Sequence, residues 1–437
     1  MRSMLAMPTE QPGIEPHPAM IIPFGLMLLA IALMPFVHRH WWEHNYPKVA
    51  ACLGAITATY YIFFIHSGAR ILHVAHEYIS FIALIGSLFV VSGGIHIRVK
   101  GEAKPWVNCV FLLIGAVLAN FIGTTGASML LIRPWIRMNK YRITAFHIVF
   151  FIFIVSNLGG CLTPIGDPPL FMGYLKGVPF WWMLQNAWAA WLIGMLALLG
   201  IFYALDRANF LRAPKEVRDR EIPLETWNIT GWRNVAFLVV ILVAVFIKHP
   251  PGVSEALMFG AAIGSYFATP GQIHKANHFT FEPIREVAWL FVGIFLTMVP
   301  ALDYLKVHAG ELGLDSEMKF FWLTGLLSGA LDNAPTYLTF LAAATGRHGL
   351  SLDNPADIQA YIAAHGHELI AISLGAVFFG AITYIGNGPN FMVKSIAEQA
   401  QVKVPSFFVY LFKYAVPILV PLFLLISILF FSRWRVF

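Results

Sequence analysis

Apolar runs long enough to cross a bilayer recur along the entire chain, and that pattern decides where the chain can fold. Residues 20–37, 81–94, 180–205 and 407–431 approach the ~20 residues needed to cross ~30 Å of hydrocarbon. Of 437 residues, 58% are hydrophobic and 12% charged, about half the charged share of a soluble domain, so so much apolar surface cannot be hidden in water. The fold class expected is an all-α polytopic membrane protein with the lipid bilayer as its partner, because helices satisfy every backbone group within one segment. The first eighteen residues hold Glu10, Glu15, four prolines and one arginine. They lack the basic region and cleavage site of a secretory signal, and the expectation is that nothing is removed. Cys52, Cys109 and Cys161 have no paired spacing, which points to neither a disulfide framework nor a thiolate metal site. The net charge of +6 reads as cytoplasmic loop charge rather than a nucleic-acid surface.

The order of the runs divides the chain in two. Spans near 20–37, 47–65 and 76–97 precede a broken stretch at 105–133, followed by spans at 143–162 and 180–205. A polar stretch, 206–233, carries Arg207, Arg212, Lys215, Arg218, Arg220 and Arg233, and the order then repeats: 234–247, 253–268, 284–303, broken 318–345, 367–386 and 406–431. We therefore expect two repeats, 1–205 and 234–437, joined by a cytoplasmic linker at 206–233. Each has about five transmembrane helices and one re-entrant hairpin (105–133, 318–345), because the legs of the broken stretches are too short to span singly. Broken helices are expected at 143–175 and 367–400.

The first hairpin is flanked by Arg98, Lys100, Lys104, Arg133, Arg137, Lys140 and Arg142 against Glu102, which puts both its ends in the cytoplasm. Around the second, Glu311, Asp315, Glu317, Asp353, Asp357 and Glu368 outnumber Lys319 and Arg347, which puts both its ends outside. An odd number of crossings also inverts the second repeat; Arg433 and Arg435 at the tail dissent. Asn120 and Asn333, the runs starting at Thr163 and Thr383, and Gly86 and Gly293 recur at a nearly constant offset. Inverted repeats with paired interrupted helices mark secondary transporters, with the site at the repeat interface.

The chemistry sits at the interruptions. In SNLGGCLTPIGDPP (156–169), Gly and Pro end any helix and free carbonyls that each need a partner in the membrane; a cation supplies one. Asp167 precedes a helix restart at Pro168-Pro169 and could serve as its N-cap alone. A mid-membrane carboxylate costs on the order of 3 kcal/mol or more, and Ser or Asn would cap without that cost, which favours a ligand or proton carrier. TYIGNGPN (383–390) breaks its helix likewise with Asn387 in the matching place. The hairpins compensate, Ala119-Asn120 in one and Asp332-Asn333 in the other. Thr124, Thr125 and Thr336 add hydroxyls. Such hard oxygen donors suit a hard cation such as Na⁺, although some Asn and Thr side chains would simply satisfy bent backbone. Two carboxylates able to hold either a proton or a cation are the minimum for exchange, since competition for one site couples two fluxes.

His147, within the 143–162 span, is a candidate pH sensor or a helix-packing histidine. Glu77, beside His73 and His76, and Glu286 read as interfacial side chains; Lys176 and Lys394 are candidate anion contacts. His76-Glu77 and His367-Glu368 lack the second histidine of a zinc protease, and no Gly-rich phosphate loop is present, so an enzyme is not expected.

At SNLGGCLTPIGDPPLFMGYL and LDNAPTYLTF the chain resembles the ion transporter superfamily, and within it the NhaD-like sodium/proton antiporters and citrate-transporter-like permeases. The resemblance covers roughly residues 70–400. It implies cation sites at Asn120, Thr124, Thr125, Gly166 and Asp167 in one half, and at Asp332, Asn333, Thr336, Gly386 and Asn387 in the other. It also implies a scaffold domain, often dimeric, against which a substrate domain moves. The function expected first is Na⁺ (or Li⁺)/H⁺ antiport across the inner membrane, with no cofactor beyond the transported ions. Cation-coupled citrate or dicarboxylate symport and arsenite or other oxyanion permeation are the alternatives.

Overall fold

The computed structural model describes residues 15–98, 104–212, 228–247 and 249–432. Among the charges used above, Lys100, Glu102, Lys215, Arg218, Arg220, Arg433 and Arg435 lie outside the described residues. Among the described residues, eight helices are long and apolar enough to cross a membrane. The first half comprises α1 (Ile22–Val37), α2 (Arg39–Thr59), α3 (Gly68–Gly93), α4 (Pro105–Met138), α5 (Ala145–Ile154), α6 (Pro168–Leu175) and α7 (Trp182–Arg212). The second comprises α8 (Asn234–Ala244), α9 (Val253–Ala268), α10 (Gly271–Ala276), α11 (Glu282–His308), α12 (Glu317–Ala330), α13 (Asn333–Arg347), α14 (Pro355–Phe379), α15 (Gly388–Gln399) and α16 (Phe407–Phe431).

Two features differ from the sequence reading. A short strand β1 (His96–Arg98) pairs antiparallel with β2 (Asn228–Thr230), a small addition to what is otherwise the expected all-α polytopic membrane protein. The stretch expected to begin a linker at Asp206 is helical: α7 runs on to Arg212, and Asp206 is fully buried. Its charge is met inside the protein. Arg142 pairs with it, Asn108 Nδ2 donates to Oδ2 at 2.8 Å, and His147 Nε2 lies 3.1 Å from Oδ1. A charge that marks a loop in sequence is here a tertiary tie among α4, α5 and α7.

The expected break in 105–133 falls at Gly123, with φ 75° and ψ 154°, a region of backbone space essentially confined to glycine. The two legs of α4 lie side by side: Phe111 stacks on Trp135 with centroids 5.6 Å apart, and Asn108 Nδ2 donates to Asn139 Oδ1 at 2.8 Å. In the second half the break falls at Leu331 and Asp332, between α12 and α13. Arg347, at the end of α13, reaches back to the Leu314 carbonyl, with its guanidinium 5.7 Å from the Phe320 ring centroid.

Burial sorts the helices. The segment from Ile148 to Ile154 in α5 is buried throughout, as is that from Leu369 to Phe379 in α14; helices apolar all round belong in the middle of a bundle. By contrast, α1 and the turn after α2 expose Leu26, Leu29, Leu33, Phe63 and Phe64, the apolar surface that lipid tails cover. The two central helices break as well: α5 ends at Ile154 and α6 starts at Pro168, while α14 ends at Phe379 and α15 starts at Gly388.

Gly123→Ala is expected to destabilise the protein by about 1–3 kcal/mol, the cost of forcing a side chain into this backbone region. The check is a lower melting temperature in detergent, against a Gly200→Ala control, where an added Cβ meets nothing.

Candidate functional site

Each central helix is interrupted in the same way. In the first half, the Thr163 hydroxyl donates to the Asn120 carbonyl at 2.6 Å and accepts from Gly166 N–H at 3.2 Å. Asn120 Oδ1 accepts from Leu162 N–H at 2.9 Å, while its Nδ2 donates to the Gly159 carbonyl at 2.7 Å. In the second half, the Thr383 hydroxyl donates to the Gly329 carbonyl at 2.7 Å and accepts from Gly386 N–H at 3.1 Å. Glycines make the close crossings: a Cβ on Gly166 would lie 2.0 Å from the Gly160 carbonyl oxygen, and one on Gly386 2.8 Å from that of Gly380. The matching contacts align Asn120 with Gly329 rather than with Asn333, the residue it echoes in sequence. Asn120 therefore holds the broken backbone rather than facing the carboxylate.

Asp167 lies at the centre and is 1% exposed. Its Oδ1 accepts from the Thr124 hydroxyl at 2.8 Å and from Asn387 Nδ2 at 2.9 Å; its Oδ2 accepts from Asn333 Nδ2 at 2.7 Å. Although Asp167 stands at the N-cap position of α6, its side chain makes no capping bond; the oxygens point across the molecule instead. Two of its three donors come from the second half of the chain. All three are neutral, and among the described residues no Lys, Arg or His pairs with it. The carboxylate is thus solvated by fixed dipoles without a permanent counter-charge, which leaves its oxygens chemically able to take a proton or a small cation.

The remaining candidates divide. Thr125 and Gly166 line a small cleft beside Asp167, walled by Leu84, Leu88 and Phe171. Asp332 is a true N-cap, accepting from Ala334 N–H at 3.0 Å, and lies within electrostatic reach of Asp167. Thr336 donates back to the Asp332 carbonyl at 2.8 Å. Gly386 contributes close backbone packing. His147 lies apart, in a capping box with Thr144 and against Asp206. Its Nδ1 accepts from Thr144 N–H at 3.1 Å, which fixes the neutral tautomer with the proton on Nε2.

A second layer escaped the sequence reading. Asn157 Nδ2 donates to Asn390 Oδ1 at 2.7 Å, and Asn390 Nδ2 donates to the carbonyls of Gly380 at 2.7 Å and Thr383 at 2.9 Å. Asn387 Nδ2 also reaches the Ser156 carbonyl at 3.1 Å. Both Asn157 and Asn390 flank the interruptions, the one signal that could have found them. Glu77 and Lys176 differ from their sequence assignments: Lys176 Nζ is 2.8 Å from Glu77 Oε1 and 2.7 Å from Asp353 Oδ1. Arg70 continues this chain from Asp353 at 2.7 Å to Asp303 at 2.8 Å. Lys176 is therefore a buried structural cation rather than an anion contact. Lys394 sits over the Tyr384 ring, 5.0 Å from its centroid.

A multi-pass helical membrane protein with two broken helices crossing at a buried carboxylate has the architecture of a secondary transporter. The chain belongs to the family described as "Putative citrate transport", which matches residues 15–431. It is 25% identical over 321 residues to a 46 kDa membrane protein of Mycobacterium leprae, covering 69% of this chain and 72% of that one. It is 24% identical over 319 residues to an uncharacterized transporter of Mycobacterium tuberculosis, with the same coverage. An uncharacterized transporter of Mycobacterium bovis is 23% identical over 336 residues, 69% of this chain and 71% of that one.

Asn390→Ala strips the Gly380 and Thr383 carbonyls of a buried donor, each such loss costing about 1–3 kcal/mol. The variant should melt well below the parent in detergent, whereas alanine at the exposed Gln185 should leave the melting temperature unchanged.

Proposed function

We propose that the protein is a Na⁺ (or Li⁺)/H⁺ antiporter of the inner membrane in which Asp167 alternately holds a proton and a metal ion. The observation that carries this reading is the shell of Asp167: three neutral donors from Thr124, Asn333 and Asn387 around a buried carboxylate. Proton and cation compete for the same oxygens, and the competition couples their fluxes. Asp332 supplies the second negative charge, while Asn120, Thr125, Thr336, Gly166 and Gly386 shape the backbone and hydroxyl surroundings. We read the two halves as inverted repeats, with α4 and the α12–α13 pair as re-entrant hairpins reaching the site from opposite faces. In this reading the first repeat is 1–205 and the second 234–437, the cytoplasmic stretch between them begins only after α7 ends at Arg212, and a homodimer is the working assembly. His147 is assigned to packing in this reading, since both of its nitrogens are engaged.

Cation-coupled citrate symport is the second reading, favoured by the family description. In it the half-helix N-termini at Pro168 and Gly388 attract the anion.

The test uses inverted vesicles from cells lacking their own antiporters, with a pH-sensitive dye following the proton gradient. Addition of NaCl or LiCl should collapse the gradient, KCl should not, and Asp167→Asn should abolish the response while still inserting at normal levels. Full exchange in that variant would remove Asp167 from the mechanism. Silence towards cations, with citrate uptake in right-side-out vesicles, would select the symporter.

A further inference from the structure

Beyond the carboxylate site, one cluster of metal-ligating side chains stands at the far end of the α12–α13 pair. His348, His365 and Glu368 each offer a ligand atom, and these atoms lie within 4.8 Å of one another. The backbone is bent to make the cluster. α14 carries a non-helical residue at His365, with φ −133° and ψ 31°, which lays its imidazole over that of His348, centroids 3.6 Å apart. Glu368, 7% exposed, directs Oε2 towards the histidines, 3.4 Å from His348 Nε2, and accepts there from the Tyr361 hydroxyl at 3.2 Å.

Arg347 defines the state of these groups. Its guanidinium pairs with Glu368 Oε1, leaving Oε2 free of it, and an Nη2–H donates to His348 Nε2 at 3.1 Å. A guanidinium has no acceptor, so that nitrogen carries a lone pair, as a metal ligand must. An ion between the imidazoles and Oε2 displaces this contact and the one between His348 Nε2 and Oε2, and shares Oε2 with the Tyr361 hydroxyl, while the Arg347–Glu368 pair remains as an outer contact that orients the carboxylate.

We propose that His348, His365 and Glu368 form a binding site for a transition-metal dication, Zn²⁺ by preference. Two imidazoles and one carboxylate are a donor set suited to zinc and leave a coordination position open. The bound ion joins the end of α13 to α14, fixing the second broken pair at the end opposite Asp332. The site is independent of the cargo assigned to Asp167.

The experiment is calorimetric titration of the purified, chelator-stripped full chain in detergent with ZnCl₂, repeated for His348→Gln, His365→Gln and the double variant. One saturable equivalent is expected for the parent. Each single variant should weaken it by at least about 10-fold, the lower end of the loss caused by removing even an outer partner of a metal ligand, and MgCl₂ should give no heat. Unchanged zinc affinity in the double variant would overturn the proposal, as would the absence of saturable binding to the parent. If a variant fails to fold, Co²⁺ titration of the parent decides: saturable visible d–d bands at one equivalent support the site, and their absence overturns it.

Discussion

The structure turns on keeping one carboxylate, Asp167, in the middle of the protein without a cation fixed beside it. Burying a charge is costly unless its lone pairs are satisfied. Here they are met by a hydroxyl from one leg of α4 and by two amides from the other half of the chain. Those donors converge where α4 kinks at Gly123, where α12 gives way to α13, and where α5 and α14 end. The glycine crossings, the Thr163 and Thr383 hydroxyls and the Asn157–Asn390 bridge then satisfy the backbone that the interruptions expose.

Asp167 and Asp332 show how the same residue type takes two roles. Both precede a helix, and both are preferred N-cap residues. Asp332 accepts from its own helix at Ala334 N–H, which is ordinary capping. Asp167 leaves its helix uncapped and turns to Asn333 and Asn387. An aspartate at position 387 would set a second anion 2.9 Å from the first, which explains why the matching position carries an amide.

Away from the centre, charges that read as loop or interface markers are absorbed into buried pairs. Asp206 is enclosed by Arg142, Asn108 and His147, while Lys176 joins Glu77 to Asp353. Removing one partner from such a pair leaves an uncompensated buried charge, a loss of about 3–5 kcal/mol. These ties hold the ends of α4 and α6, and so the backbone on which the site is built.

The sequence by itself determined that the chain is a helical membrane protein with interruptions at 156–169 and 383–390. Hydrophobic length and Gly/Pro placement are local properties that neighbours do not reverse. It also singled out Asp167, Asn333 and Asn387, because polar residues in apolar text carry a cost that demands a reason. Only the tertiary structure decided that Asn120 props the broken backbone, that Asp332 caps while Asp167 does not, and that Asn157 and Asn390 bridge the two interruptions. A side chain's role depends on which distant group meets its lone pairs, and residues some 230 positions apart, such as Asn157 and Asn390, meet only when the bundle closes.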